Sequence, residues 1–306
     1  MTSHSDNLRG AFFMALSMAG FVFNDTMIKI VSGELALFQV VLVRGLMASV
    51  LMFAVAWYMK GLSYRLPRRD IWVILWRTIG EVGATFCFLT ALFHLPIANL
   101  TAIMQALPLA VTLAAAVFLK AQVGWRRYVA ILVGFVGVLI ILRPGTSAFN
   151  LYGLWGLGAV CFVVLRDLST TQLSRETPSS FVALVTTIAM TVVAGIMTLI
   201  TQEWAPMDGS SFGFLAGAAG FLLVGYIASV TAMRVGEIAF VSPFRYSVMI
   251  WAILIGLFVF KDPMDFWTMV GTAIVVGMGI YTFYREGRVA RKASHQAATR
   301  SGLPPR

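Results

Sequence analysis

Apolar residues fill this chain in blocks of about twenty, broken by short polar stretches, from residue 9 to residue 285. A helix rises about 1.5 Å per residue, so a block of this length matches the hydrocarbon thickness of a bilayer. The pattern predicts ten transmembrane helices near 9–31, 35–59, 71–93, 97–119, 125–143, 151–173, 179–201, 211–233, 237–260 and 265–285. Most loops between them are very short, which makes consecutive helices antiparallel neighbours and leaves no room for an extramembrane catalytic domain. The expected fold is an all-α integral membrane protein.

Composition agrees. The 306 residues are 59% hydrophobic and only 12% charged, with a mean hydropathy of +0.86, far from the quarter-charged make-up of soluble domains. Cys87 and Cys161 both lie in apolar runs, so the chain lacks the ligands for a disulfide framework or a metal site and is expected to carry neither metal nor cofactor. The net charge of +10 does not indicate nucleic acid, because the basic residues sit in loops and a tail between apolar spans, where they set topology. Met1 to Leu8 is polar and no convincing small-residue cleavage site follows, so the first helix is expected to stay in the membrane.

With a cytoplasmic N-terminus, sixteen Lys and Arg residues fall inside and three, Lys29, Arg143 and Lys261, fall outside. The positive-inside rule then places both termini on the cytoplasmic side of the membrane. Residues 287–306 read as a basic cytosolic tail without fixed structure. Lys29, near the outer interface, is expected to snorkel to water.

The two halves look alike. The segment from Ala91 aligns without gaps on the segment from Ala232, an offset of 141 that brings Gln105 onto Tyr246 and Lys120 onto Lys261. An offset of 142 brings Asp25 onto Asp167. With five helices per half, an odd number, the second copy must enter the membrane from the opposite side. This predicts inverted repeats over 1–145 and 150–286, the plan of many secondary transporters with a site near the midplane.

Eight ionisable residues lie within the spans: Asp25, Arg44, Arg77, Glu81, Arg166, Asp167, Glu237 and Arg245. Four charges of each sign suggest mutual pairing. Arg77 and Glu81, four residues apart on one helix face, form an expected structural pair. Arg245 follows Pro243 inside an apolar run, where an arginine costs roughly 2.5–3.5 kcal/mol. It is expected either to point into a polar cavity or to lock two helices through a buried acid. Asn24, Asp25 and Thr26 form an unusual polar series in the first helix, able to bind a ligand or to hold a neighbouring helix. Gln105 repeats the polar and Pro pattern of the ninth helix, facing Tyr246 across an expected cavity with Phe244 and Trp251 as aromatic walls. His94, beside Pro96, reads as structural. The glycines of Gly134–Gly137 and Gly277–Gly279 permit close contacts at the periphery or between protomers, and so admit a homodimer.

FNDTMIK from Phe23, FQVVLVRG from Phe38, the segment from Trp125 to Gly145 and SPFRYSVMIWA from Ser242 together resemble the drug/metabolite transporter superfamily, in its ten-helix EamA branch. Within that branch the chain is similar to bacterial importers of riboflavin and of S-adenosylmethionine. The resemblance implies a central cavity lined mainly by the first to fourth and sixth to ninth helices. It implies Asn24, Asp25, Arg44, Gln105, Arg245 and Tyr246 as substrate-binding or gating residues.

These readings point to a secondary carrier of a small organic metabolite working by alternating access. Riboflavin, uncharged with a flat ring, suits a neutral cavity with aromatic faces. S-adenosylmethionine, a net cation, would want an uncompensated acid, with Asp25 the best candidate. Export of amino acids or metabolites is the further alternative. No HExxH, GxSxG, Walker or CxxC pattern supports an enzyme, and no ring of like charges supports a channel. Reporters active only in the periplasm are expected to be silent when fused at Met1 or Arg306, and a periplasmic signal at Arg306 would mean an odd number of crossings.

Overall fold

The computed structural model describes residues 4–58, 62, 67–120, 124–144, 150–174, 177–235 and 238–300. In chain order the helices are α1 (His4–Val31), α2 (Leu37–Tyr58), α3 (Arg68–His94), α4 (Ile97–Met104), α5 (Leu107–Phe118) and α6 (Trp125–Leu142). There follow α7 (Tyr152–Thr171), α8 (Ser179–Thr201), α9 (Gly209–Val235), α10 (Ile238–Val241), a 3₁₀ turn (Ser242–Tyr246), α11 (Ser247–Phe258) and α12 (Phe266–Arg300). Among the described residues nine segments are long and apolar enough to cross a membrane, α4 and α5 counted together, and Ser242–Phe258 is a shorter apolar helix in the ninth position. The fold is all-helical, with ten crossings.

Three expectations change. The fourth crossing is broken at Gln105 and Ala106, where the amides of Gln105 and Ala106 reach back three residues to Ala102 and Ile103. Pro108 lacks the N–H that the Met104 carbonyl would have accepted, so the helix tightens and restarts. The ninth crossing, expected as one helix over 237–260, runs as a 3₁₀ turn over Ser242–Tyr246. Gln105 and Tyr246, equivalent at the offset of 141, thus both lie where their helices lose the α-helical ladder. The tail expected to be without structure continues α12 to Arg300, and residues 301–306 lie outside the described residues.

Packing follows the small residues. α1 lies along α9, α3 along α7, α2 along α8, α6 along α12, and α4 against α11. A Cβ on Gly20 would stand 3.0 Å from the Gly225 backbone nitrogen, and one on Gly80 would stand 2.7 Å from that of Arg166. Side chains are excluded there, so the backbones themselves meet. Ser17 adds a 2.7 Å hydrogen bond to the Gly225 carbonyl. Gly137 meets Gly271 of α12 in the same way, so the GFVG glycines serve a contact within the chain. Counting α4 with α5 as the fourth crossing and α10 with α11 as the ninth, these pairs are 1–8, 3–6, 2–7, 5–10 and 4–9. Replacing every crossing by the one five places away returns the same set.

Two bundles result, α1 with α9 and α11, and α3 with α7, and α4 lies between α11 and α7. Ile28, Val40, Leu92, Leu100, Leu215 and Ile255, each in one buried cluster, come from α1, α2, α3, α4, α9 and α11. All six lie near the face opposite the two chain ends, so that face is sealed across both bundles. In the half nearer the chain ends, the buried cluster of Met14, Met18, Ala232 and Val241 stays within the first bundle and α10.

At the sealed face, Asp265 caps α12. Its carboxylate accepts from the Trp267 amide at 3.0 Å, the Thr268 amide at 3.2 Å and the Thr268 hydroxyl at 2.6 Å, and it pairs with Arg143 at the end of α6. Partial burial pushes the carboxyl pKa up, but the Thr268 bonds, Arg143 and the Trp267 amide outweigh it and hold the value below the ordinary 3.8. A carboxyl depressed in the folded state contributes stability that is complete above its unfolded pKa of about 4 and is lost as pH falls through the lower folded value. Asp265→Ala is expected to lower stability by about 1 kcal/mol at pH 7, read from thermal unfolding in detergent. The difference from the parent protein is expected to shrink below pH 4; a difference that grows there would refute the capping role.

Candidate functional site

The polar residues of the spans fall into two linked groups. Arg44 lies seven residues into α2, about 10 Å from the sealed face at 1.5 Å per residue. Its guanidinium donates to the Asn24 carbonyl oxygen at 3.3 Å, and the Asn24 amide donates to Asp25 at 2.8 Å. Asn24 is buried and sits between cation and acid. Arg44 and Asp25 therefore share an amide instead of pairing directly.

The second group is larger and deeper. Glu81 of α3 takes Arg77 at 3.8 Å one turn earlier and Arg166 of α7 at 3.5 Å. Arg166 also pairs with Asp167 at 2.8 Å, and Arg77 donates to the Thr186 hydroxyl of α8 at 2.5 Å. The expected Arg77–Glu81 pair is present, but as one edge of a network of five residues, four of them charged, across three helices. Helix spacing made that edge legible; the Glu81–Arg166 edge depends on α3 packing against α7 at Gly80. Side-chain exposures of 17%, 27% and 28% for Arg77, Glu81 and Arg166 show that this network is not sealed over.

The two breaks carry the remaining candidates. Gln105 is buried, and its amide nitrogen meets no partner. Tyr246 is buried over Gly279, edge-on to Phe283 of α12 at 6.4 Å between ring centroids. Its ring thus sits on the α12 side of the 3₁₀ turn. Arg245, next in sequence, is exposed and meets no carboxylate among the described residues. Glu237 lies outside the described residues. Phe23, beside Asn24, stacks on Phe221 at 5.3 Å and tilts against Trp251 at 6.3 Å, so an aromatic wall joins α1, α9 and α11 next to the first polar group.

Sequence reasoning missed the polar contacts of four side chains near the faces. Lys29 does not snorkel: its ammonium donates to the Leu92 carbonyl at 2.8 Å and the Leu95 carbonyl at 2.6 Å, over the Phe260 ring. The Leu92 carbonyl would have accepted from residue 96, which is Pro96, so Lys29 of one bundle supplies the donor that α3 of the other lacks. The signal was a proline four residues after a leucine near a helix end. Gln39, fully buried, exchanges two hydrogen bonds with the Ala205 backbone, at 2.8 and 3.0 Å, and pins the α8–α9 connection to α2. Asp70 at the chain-end face accepts from Ser174 and Thr177, while Glu34 at the sealed face accepts from Ser211, 141 residues after Asp70. His94 stacks on Tyr152 at 3.7 Å, in keeping with a structural role.

Residues 8–143 match the EamA-like transporter family. The chain is 24% identical to an S-adenosylmethionine uptake transporter of Rickettsia felis, over 94% of this chain and 97% of the relative. It is 27% identical to a riboflavin transporter of Vibrio cholerae, over 88% and 91%. It is 24% identical to the pseudopaline exporter CntI of Pseudomonas aeruginosa, over 89% and 95%. A solved crystal structure superposes with a TM-score of 0.62 at 17% identity, covering 94% of this chain and 99% of that one, which shows the fold.

Glu81 faces two arginines, so its removal leaves both without their shared partner. Glu81→Gln is expected to destabilise the protein by about 1–3 kcal/mol, less than the 3–5 of a fully buried pair because all three groups retain some solvent. The double variant Glu81→Gln with Arg77→Met is expected to recover part of that loss. An undiminished unfolding temperature in the single variant would show that the network is not coupled.

Proposed function

From the premise that this chain is a membrane transporter with an EamA-family domain of the drug/metabolite transporter superfamily, we propose a secondary carrier that moves a small organic metabolite by alternating access. The observation that carries this reading is the asymmetry of closure. One face is sealed by a buried apolar cluster across both bundles, and Lys29 bonds one bundle to the other there. Behind the seal lies an ionic network that is still partly exposed. A carrier requires a barrier on one side of its site and access from the other, with the two exchangeable.

The two halves are inverted repeats in this reading, supported by the five-place symmetry of the helix contacts and by the matched breaks at Gln105 and Tyr246. The protein sits in the bacterial inner membrane with both termini cytoplasmic, supported by the distribution of Lys and Arg. The sealed face is then periplasmic. Asn24, Asp25, Arg44, Gln105, Arg245 and Tyr246 bind or gate the substrate, with Phe23 and Trp251 flanking it and Arg77, Glu81 and Arg166 holding the helices.

The substrate is riboflavin in the leading reading, taken up into the cell. Its support is the aromatic wall of Phe23, Phe221 and Trp251 beside hydrogen-bonding amides, which suits a flat uncharged ring. S-adenosylmethionine is the second reading, supported by the near full-length similarity to the Rickettsia transporter.

Reconstituted in liposomes, the protein is expected to take up labelled riboflavin with saturation and to exchange it in counterflow, whereas conductance without saturation would indicate a pore. Charge-assisted hydrogen bonds contribute about 1.5–3 kcal/mol, so Lys29→Met is expected to shift the closed population at least about tenfold toward opening of the sealed face. The readout is labelling of Leu100→Cys by an impermeant maleimide applied from that face. Unchanged labelling would remove Lys29 from the gate.

A further inference from the structure

The charges within the described spans do not cancel. Asp25 and Arg44 share Asn24, Arg77 and Arg166 share Glu81, and Arg166 also takes Asp167, so each group is formally neutral and internally bonded. Arg245 is left over. Its guanidinium is exposed, seven residues beyond the start of α10 and so about 10 Å from that end. An arginine facing hydrocarbon at such a depth is strongly disfavoured, which directs it to the space between the bundles, on the side away from the seal. The paired breaks bring further unsatisfied groups: the buried Gln105 amide nitrogen, a donor only, and the buried Tyr246 and Ser247 hydroxyl oxygens have no partner. The breaks therefore hold unused groups able to donate hydrogen bonds, and the unused charge among the described residues is positive.

We propose that Arg245 is the specificity-determining residue of this site, selecting metabolites that present a carboxylate or a pair of carbonyl oxygens and rejecting net cations. The inference rests on the carrier reading above. A planar guanidinium matches two adjacent oxygens with two parallel hydrogen bonds, which an ammonium cannot reproduce. A cationic ligand about 6 Å away meets an uncompensated like charge, and at an effective dielectric of about 20 the repulsion corresponds to roughly a hundredfold in affinity. Phe244, partly exposed beside Arg245, offers an apolar surface to a ring adjoining those oxygens.

The test uses two probes of opposite electrostatic demand in proteoliposomes: riboflavin, neutral with two ring carbonyls, and S-adenosylmethionine, a net cation. The parent protein is expected to take up riboflavin with saturation and to favour it at least tenfold. Arg245→Gln is expected to lower riboflavin uptake at least tenfold through KM, with Arg245→Lys intermediate. Arg245→Glu is expected to reverse the preference. Because Arg245 is no one's partner in the described protein, the unfolding temperatures of all three variants are expected to stay near the parent's, which separates selection from a structural role. Saturable S-adenosylmethionine uptake that Arg245→Gln leaves intact, or riboflavin uptake indifferent to the charge at 245, would overturn the inference alone. Absence of saturable flux for both probes in the parent protein would overturn the carrier reading with it.

Discussion

Hydrocarbon offers no hydrogen bonds, so every polar atom in the spans must find its partner within the protein or in a water-filled path. The contact of Lys29 with α3 shows the consequence most directly. Pro96 takes away the donor for the Leu92 carbonyl, and an ammonium from another helix takes its place. The contact that satisfies one carbonyl also binds the two bundles together at one face. Gln39 answers the same demand for Ala205 at the α8–α9 connection.

Close approach of backbones supplies the rest of the frame. Lipid tails are as apolar as leucine, so helices in a bilayer associate through packing and hydrogen bonds instead of through exclusion of water. Gly20 with Gly225, Gly80 with Arg166 and Gly137 with Gly271 bring three helix pairs to backbone contact. The contact at Gly80 sets α7 beside α3 and so places Arg166 within reach of Glu81. A glycine chosen for packing thus determines which charges meet. The seal across both bundles is apolar and adaptable in shape, whereas the pairs within each bundle are fixed by glycine contacts. That difference suits two bodies that move as units against each other.

The two polar groups behave differently from the breaks. Arg77, Glu81, Arg166 and Asp167 neutralise one another, and Arg44 and Asp25 share an amide, so neither group presents a free charge to a ligand. At the broken fourth and ninth crossings, Gln105, Tyr246 and Ser247 retain hydrogen-bonding groups without partners, and Arg245 meets no carboxylate among the described residues. A break in a helix frees backbone and side-chain groups together, and proteins in membranes tolerate this where the backbone is buried in protein or lines a cavity. The locations of the breaks and the location of the unpaired cation are therefore one observation.

Block length in the sequence determined the ten crossings. The offset of 141 paired Gln105 with Tyr246, the residues at the two breaks, before any geometry was known. These features are local or periodic, and the bilayer imposes them on any chain of this composition. Which charges pair was not legible beyond Arg77 and Glu81, because helix spacing reaches only one turn along a single helix. Lys29 read as an interfacial lysine, since nothing in its own neighbourhood reveals an acceptor sixty residues away. Tyr246 read as facing Gln105, but Gly279 leaves room for its ring against α12. Arg245 read as one half of a balanced set of eight charges. Only tertiary packing decided that its companions among the described residues are spent on one another, because pairing energy depends on distances between helices that a single sequence does not encode.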